Sequence, residues 1–376
     1  LGKLNQGEIL YLSLINAKIK LMKFPFFFPK SSVGIDIGTS DIKVVQLSSF
    51  AGRIKLENYG QISSKALYQK PFRTFEKSTL LLSTQDIVKA IKAIFEEAKI
   101  KTKTAYFSIP DFATFFTTFE LPPMTKEEIP FAVEAEARRH IPLPLSEVVW
   151  DWQLIGGRPF MGKERFRILL VSVPKEVVNQ YTAISEALGI ELSALEAETF
   201  SLLRSLSEKN RIISIIDIGT RTTSCSIIEG KVLKISRSFD ISEDEFTQVI
   251  SKSLGVNLDL AEEMKKKYGL LSTEIPEGKE VREILIPLIN SLLSNIEQTF
   301  LRFKNIEGKE VEKIILAGGG ANLPGLLQYF QNYFKKEVEI ANPFKKVYFP
   351  PILEETLKEI GPSFSIAVGL ALRAFE

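Results

Sequence analysis

Cysteine and histidine are almost missing from this chain, which holds one of each in 376 residues, Cys225 and His140. A lone cysteine excludes an intrachain disulfide and any cysteine-rich metal site, and it fits a reducing cytoplasm. A lone histidine excludes His-pair zinc chemistry and argues against a Ser-His-Asp triad. Net charge is small as well, +2 from 48 basic and 46 acidic residues. That balance gives no support to a nucleic-acid partner. The first thirty residues lack a clean apolar run. "ILYLSLINAKIKLMKFPFFFP" is broken by Lys18, Lys20 and Lys23 and by Pro25 and Pro29, whereas a spanning helix needs about 20 apolar residues with few charges. The layout of a signal peptide is missing too. Residues 1–30 therefore read as an N-terminal extension. They are either an upstream stretch before a natural start at Met22, or a basic amphipathic segment resting on a membrane surface or partner. Any chemistry is expected to rest on carboxylates, backbone amides, Lys and Thr, with a magnesium ion as an optional addition.

What is present is a globular composition, 45% hydrophobic and 25% charged, in a chain long enough for two or more domains. "VGIDIG" and "IKVVQLS" read as strands joined by a tight turn, with a third strand near "RIKLENYGQI". Residues 66–83 read as an irregular connection. "TQDIVKAIKAIFEEAKI" places Ile87, Ile91, Ile94 and Phe95 at helical spacing. Residues 104–188 then read as an insert of strand, strand, helix (about 126–140), strand, strand and helix (about 175–188). A helix is expected around "ALEAETFSLLRSL". "IISIIDIGT", "TSCSIIEG" and "KVLKISRSFD" next repeat the opening three-strand theme, and a helical region leads to "KIILAGGGANLPGLLQYF" and a closing helix. Domain bounds follow: a first lobe at 31–103 and 189–209, the insert at 104–188, and a second lobe at 210–376 with a helical part at about 240–309.

The repeated Asp-Ile-Gly-Thr carries the chemistry. In each copy a buried strand ends in a carboxylate, Asp36 or Asp217, and Gly38 or Gly219 permits a turn that a side chain would obstruct. Amides of such a turn converge on an anion, and the hydroxyls of Thr39, Ser40 and Thr220 add donors. Asp36 and Asp217 suit a magnesium ion held through water beside phosphate oxygens. Lys43 reaches the same phosphates as a point charge. Gly318, Gly319 and Gly320 end a later strand where backbone can approach a base or phosphate closely, and Asn322 and Pro324 start the following helix. Three such elements in series imply a nucleotide held between two lobes.

These residues resemble the actin-like ATPase superfamily, in which the two hairpins are phosphate loops and the Gly-rich turn is the adenosine loop. The resemblance implies an α/β, actin-like (ribonuclease H-like) two-lobed fold that binds ATP with Mg2+. "AEEMK" resembles the superfamily's adenine-pocket helix, which implies Glu262 at the ribose and Lys265 beside the base. Arg221, directly after the second Asp-Ile-Gly-Thr, departs from the small or polar residue of many relatives. It is read either as a phosphate contact or as a solvent-facing side chain. "ELPPMTKEEIPFAVEAEARRHIPLPLSEVVWDWQLI", "ILLVSVPKEVV", "SALEAETFSLLRSL" and "ILAGGGANLPGL" narrow the likeness to the PilM family of type IV pilus assembly, with its FtsA/PilM-type inserted (SHS2) subdomain. The likeness runs from about Val33 to Phe375.

That resemblance implies a cytoplasmic ATP-binding scaffold, peripheral to the inner membrane through its partners. It would dock the N-terminal cytoplasmic peptide of PilN in a groove between first lobe and insert, with other pilus inner-membrane and motor components and self-association as further partners. No residue stands out as a catalytic base, so at most a slow ATPase is expected. The alternatives are an FtsA-like cell-division filament protein, a family that carries a C-terminal amphipathic membrane helix, and a small-molecule kinase of the same fold. A kinase needs a carboxylate near the γ-phosphate, and Glu198 is its candidate. Trp150 and Trp152, two apart on one strand, are expected to anchor one face of the insert's sheet.

Overall fold

A computed structural model describes residues 30–67, 71–76, 79–156 and 165–376. The readings of residues 1–29 and of part of the 66–83 connection lie outside the described residues. The chain divides into two compact units. The first holds the described residues up to Arg204 together with Lys346–Phe349 and Ile366–Glu376. The second holds Ser205–Lys345 and Pro350–Ser365.

In the first unit β1 (Lys30–Ile37), β2 (Asp41–Phe50) and β3 (Arg53–Ser63) form an antiparallel meander. The connection that follows is more regular than expected. It contains a short helix, α1 (Ser64–Leu67), and a hairpin of β4 (Arg73–Glu76) and β5 (Thr79–Leu82). Helix α2 (Thr84–Glu97) buries Ile87, Ala90, Ile91 and Ile94, the stripe its spacing predicts. β6 (Thr104–Ile109) then pairs parallel with β1. β7 (Phe115–Leu121), α3 (Ile129–His140), β8 (Val148–Gly156) and β9 (Phe166–Pro174) follow, then α4 (Lys175–Leu188), β10 (Glu191–Ala197) and α5 (Glu198–Leu206). The main sheet has the order β10-β6-β1-β2-β3.

Two expectations change here. β6 is a strand of the main sheet, and Val177, Val178, Tyr181 and Ile184 of α4 share a core with Val33, Ile35 and Phe107. The separate body is therefore the three-stranded sheet β7-β9-β8 with α3, narrower than 104–188. The helix expected around Ala194 begins only at Glu198, because Glu191–Ala197 pairs in parallel with β6. That long-range pairing overrides the local helix preference of Ala-Leu-Glu-Ala. Within the insert, Trp150, Trp152 and Leu154 pack together against a core that includes Val133, Ala137 and Ile168, one face of β8 as expected.

The second unit rebuilds the same sheet. β11 (Ile212–Ile218), β12 (Thr223–Glu229) and β13 (Val232–Phe239) form the meander, and helices α6 (Glu243–Leu254), α7 (Leu258–Tyr268) and α8 (Pro276–Glu307) follow. β14 (Lys313–Ala317), α9 (Leu326–Phe334) and β15 (Glu337–Ile340) complete the order β13-β12-β11-β14-β15. α6 starts at Ser242, whose hydroxyl accepts the Glu245 N–H, and α7 at Asn257, whose side chain accepts the Leu260 N–H at 2.8 Å. α8 alone among the described residues is long and apolar enough to cross a membrane, but Val281, Leu285, Ile289, Leu292 and Ile296 lie in the second unit's core.

α10 (Glu354–Leu372) closes the fold and passes from one unit's residues to the other's. Its end, expected in the second lobe, packs on the first. A Cβ on Gly34 of β1 would lie 2.2 Å from the Ala367 carbonyl oxygen and 2.6 Å from the Ala371 nitrogen. Backbone meets backbone here, so no side chain can yield. Gly34→Ala is expected to cost about 3 kcal/mol or more, at or beyond the upper end of ordinary overpacking. Chemical denaturation checks this, and a loss below about 1 kcal/mol would show that the helix can retreat.

Candidate functional site

The two Asp-Ile-Gly-Thr stretches fold alike. Gly38 N–H donates to the Asp41 carbonyl at 2.8 Å, and Gly219 N–H donates to the Thr222 carbonyl at 3.0 Å. Both turns are closed so tightly that a Cβ on Gly38 would stand 2.7 Å from the Asp41 oxygen. Across each hairpin Asp36 faces Lys43 and Asp217 faces Ser224. The repeat therefore marks the equivalent corner of two equivalent sheets, with a lysine across the first hairpin and a serine across the second. Lys43 Nζ lies 4.0 Å from Asp41.

Behind the first hairpin sits a buried charge cluster that the sequence did not announce. Arg73 of β4 donates from Nη1 to the Ile37 carbonyl at 2.8 Å and to Glu198 Oε1 at 2.9 Å. Its Nε donates to Thr39 Oγ1 at 3.3 Å. The second oxygen of Glu198 accepts the Asp111 N–H at 3.3 Å. Asp111 in turn accepts from the Thr199 N–H at 3.2 Å and the Thr199 hydroxyl at 2.5 Å. Asp36 accepts from Ser108 Oγ at 2.9 Å. Burial, then Glu198, pushes the Asp36 carboxyl above its ordinary range, against Lys43, Arg73 and Ser108. The same two causes push Asp111 up to about 7.

In the second unit Gly318 adopts a φ of +82°, and a Cβ there would meet the Ile218 carbonyl at 2.3 Å and Asp217 Oδ1 at 2.7 Å. The Gly-rich turn is thus laid directly on the end of β11. Gly319 lies beside Glu243, and Gly320 over Ile218. Glu243 N–H donates to the Gly219 carbonyl at 3.0 Å, and Asp244 N–H to the Thr220 carbonyl at 3.1 Å, so α6 starts on the second hairpin. Lys265 is buried and reaches Glu262 at 2.7 Å, Thr247 at 3.0 Å and Glu243 at 3.4 Å. Burial alone would raise the Glu262 carboxyl, but Lys265 and Thr247 hold it down at about 2. Glu262, Lys265, Asp217 and the glycines therefore share one neighbourhood. Asn322 instead donates to the Glu359 carbonyl at 3.0 Å, and Arg221 is exposed. Glu243 belongs with this group; its acidic neighbours after a capping serine were the only signal in the sequence.

The resemblance implies magnesium. Among the described residues no three acid, His or Cys side chains gather to hold a metal. Single carboxylates such as Asp36 and Asp217 fit a magnesium ion that takes most of its ligands from water and phosphate.

A groove of about 700 Å³ opens within the first unit where the insert meets the main body. Leu80, Phe112, Phe115, Ile141, Leu143 and Val177 give it apolar walls, and Glu147, Lys175 and Glu176 give it charge. It lies where β7 and β8 begin and β9 ends, at the end of the insert's sheet.

The profile of the family described as type IV pilus assembly protein PilM matches residues 34–375. The chain belongs to the PilM family. It is similar to the solved structure of a PilM-PilN type IV pilus biogenesis complex, with 25% identity, a TM-score of 0.76, and 92% of this chain and 98% of that one covered. The cell division protein FtsA of Enterococcus hirae is 24% identical over 89% of this chain and 83% of its own length. MreB5 of Spiroplasma citri bound to AMPPNP shares the fold at 16% identity and a TM-score of 0.50, covering 92% of this chain and 96% of its own. The actin-like architecture expected from the sequence is thereby established, and so is membership of the pilus assembly family.

The raised Asp111 carboxyl makes a prediction for this PilM-family chain. The folded state binds that proton more tightly than the unfolded one, so its contribution to stability is full at low pH and is lost as pH rises through about 7. Thermal melts of wild type and Asp111→Asn from about pH 5 to about pH 8 should show wild type losing ground until about pH 7 and levelling off above it. A difference that stays flat would show that the Asp111 carboxyl is not raised in the folded protein.

Proposed function

We propose that this PilM-family chain is an ATP-binding scaffold of the type IV pilus machinery that docks the N-terminal cytoplasmic tail of PilN. It works in the cytoplasm, held at the inner membrane by that partner. The observation that carries the reading is the apolar groove between insert and main body, in a chain similar to one solved with PilN. An extended peptide fits such a groove. Its main chain gains affinity from hydrogen bonds, and its side chains gain selectivity from the pockets at Leu80, Phe112 and Leu143.

ATP is the nucleotide that the two turns and the Gly318–Gly320 backbone support, with Asp36 and Asp217 taking magnesium through water and Lys43 a phosphate. Bound magnesium would offset phosphate charge, and the protein's own part is to present amides and hydroxyls in a fixed turn. Glu243, beside Gly319, and Glu262, joined to it through Lys265, are the carboxylates offered to ribose hydroxyls. Glu198 favours the scaffold over a small-molecule kinase. It is buried with both oxygens already engaged, by Arg73 and by the Asp111 N–H, so it is not free to take a substrate proton.

Two measurements test this reading. Calorimetry with Mg-ATP should show Asp36→Ala and Asp217→Ala each weakening binding by about tenfold or more, the scale of a lost charge-assisted contact. Equal affinity in wild type and both variants would remove the hairpins from the site. Separately, Leu143→Glu places a charge in the apolar groove at an exposed position. Fluorescence anisotropy with a labelled PilN tail should then show at least about a tenfold loss, with ATP binding retained. Undiminished tail binding would move the partner site elsewhere.

A further inference from the structure

We propose that Arg73 is a positioning residue that ties the first phosphate hairpin to the partner groove, so that a ligand at either place alters affinity at the other. The proposal rests on the nucleotide and peptide readings above, and its geometry lies wholly within the first unit. On one side the guanidinium donates to the Ile37 carbonyl at 2.8 Å and to Thr39 Oγ1 at 3.3 Å, the residues that flank Gly38. On the other its central carbon lies over the Phe112 ring, 5.3 Å from the ring centre. Phe112 is a wall of the groove and the middle residue of the 3-10 turn Asp111–Ala113. Glu198 locks the assembly from behind, since one oxygen holds Arg73 and the other holds the Asp111 N–H that opens the turn. A second connection runs through the β4–β5 hairpin, which carries Arg73 on one strand and the groove residue Leu80 on the other.

A guanidinium is a rigid plane, so its contacts with hairpin, Glu198 and Phe112 cannot be adjusted one at a time. Arg73 is also buried, and turning it toward solvent would strand Glu198 without its partner charge. Phosphate arriving at Thr39 and Gly38 competes with Glu198 for the same cation and draws the plane toward the hairpin. A peptide pressing on Phe112 moves the ring over which that guanidinium sits. Each ligand thus acts on the plane that the other depends on. By linkage the two effects on affinity must be equal in both directions.

The test is calorimetry on the full chain. Mg-ATP affinity is measured with and without a saturating synthetic peptide of the PilN N-terminal tail, and peptide affinity with and without Mg-ATP. Wild type should show a coupling of about fivefold or more, with the same factor in both directions. Arg73→Lys keeps the charge but loses the plane, and Phe112→Leu keeps the groove apolar but loses the ring. Whatever either substitution does to a single affinity, the coupling factor should fall to within about twofold of one. Phe112 is partly exposed, so Phe112→Leu decides the matter even where Arg73→Lys unfolds. Wild type that binds both ligands with a factor of one overturns the relay alone, as does undiminished coupling in a folded variant. Wild type that fails to bind one ligand overturns the nucleotide or peptide reading itself, and the relay with it.

Discussion

β1 and β11 run through the middle of their sheets with nearly every residue buried, so each strand must reach its carboxyl end before it can offer polar groups to solvent. At that end each places an aspartate, then a glycine whose N–H closes a tight turn. The position of Asp36 and Asp217 is therefore a consequence of sheet order, because the flanking parallel strands β6 and β14 bury the sides and leave the strand end as the exit. The close approach of α10 to β1 at Gly34 and of the Gly318 turn to β11 follows from the same burial. Helix or turn backbone covers what side chains have no room to cover.

Burying ionised groups behind such a turn is costly, and their mutual attraction returns that cost only when geometry and hydrogen bonds are complete. The first unit gathers Asp36, Asp111 and Glu198 around Arg73, with Lys43 across the hairpin from Asp36. Burial first, and then the nearby Glu198 carboxylate, push the Asp36 and Asp111 carboxyls up there. Such a cluster is a poor source of stability and a good source of fixed geometry. It holds Ile37, Thr39 and the Asp111 turn in one network.

The two units share a sheet and differ in what they hang on it. The first sets β7–β9 and α3 after β6, which makes a groove whose walls come from both insert and main body. The second sets α6–α8 after β13, which brings Glu243, Glu262 and Lys265 to the Gly-rich turn. Duplicated scaffolds thus carry unlike additions, an apolar groove on one and a Glu–Lys cluster beside a Gly-rich turn on the other, because the additions enter at different points.

Local pattern was enough for the repeated turns, the amphipathic stripe of α2, the tryptophan face of β8 and the Gly-rich turn after β14. Each is dictated by neighbours within a few residues: periodicity, a glycine where no side chain fits, a carboxylate at a strand end. The Glu262–Lys265 pair was legible for the same reason, one helical turn bringing the two together. Arg73 was not, since it sits in a stretch that reads as irregular and its partners Thr39 and Glu198 are far away along the chain. β10 read as helix because its strand character exists only through pairing with β6, and the insert's edges were misplaced because β6 and α4 look alike whether they face one core or another. Sequence by itself determined the turns and helix faces, where the cause is local. Tertiary structure alone decided which strands share a sheet, which charges meet in its interior and where the groove opens, because those depend on contacts between segments that the chain separates.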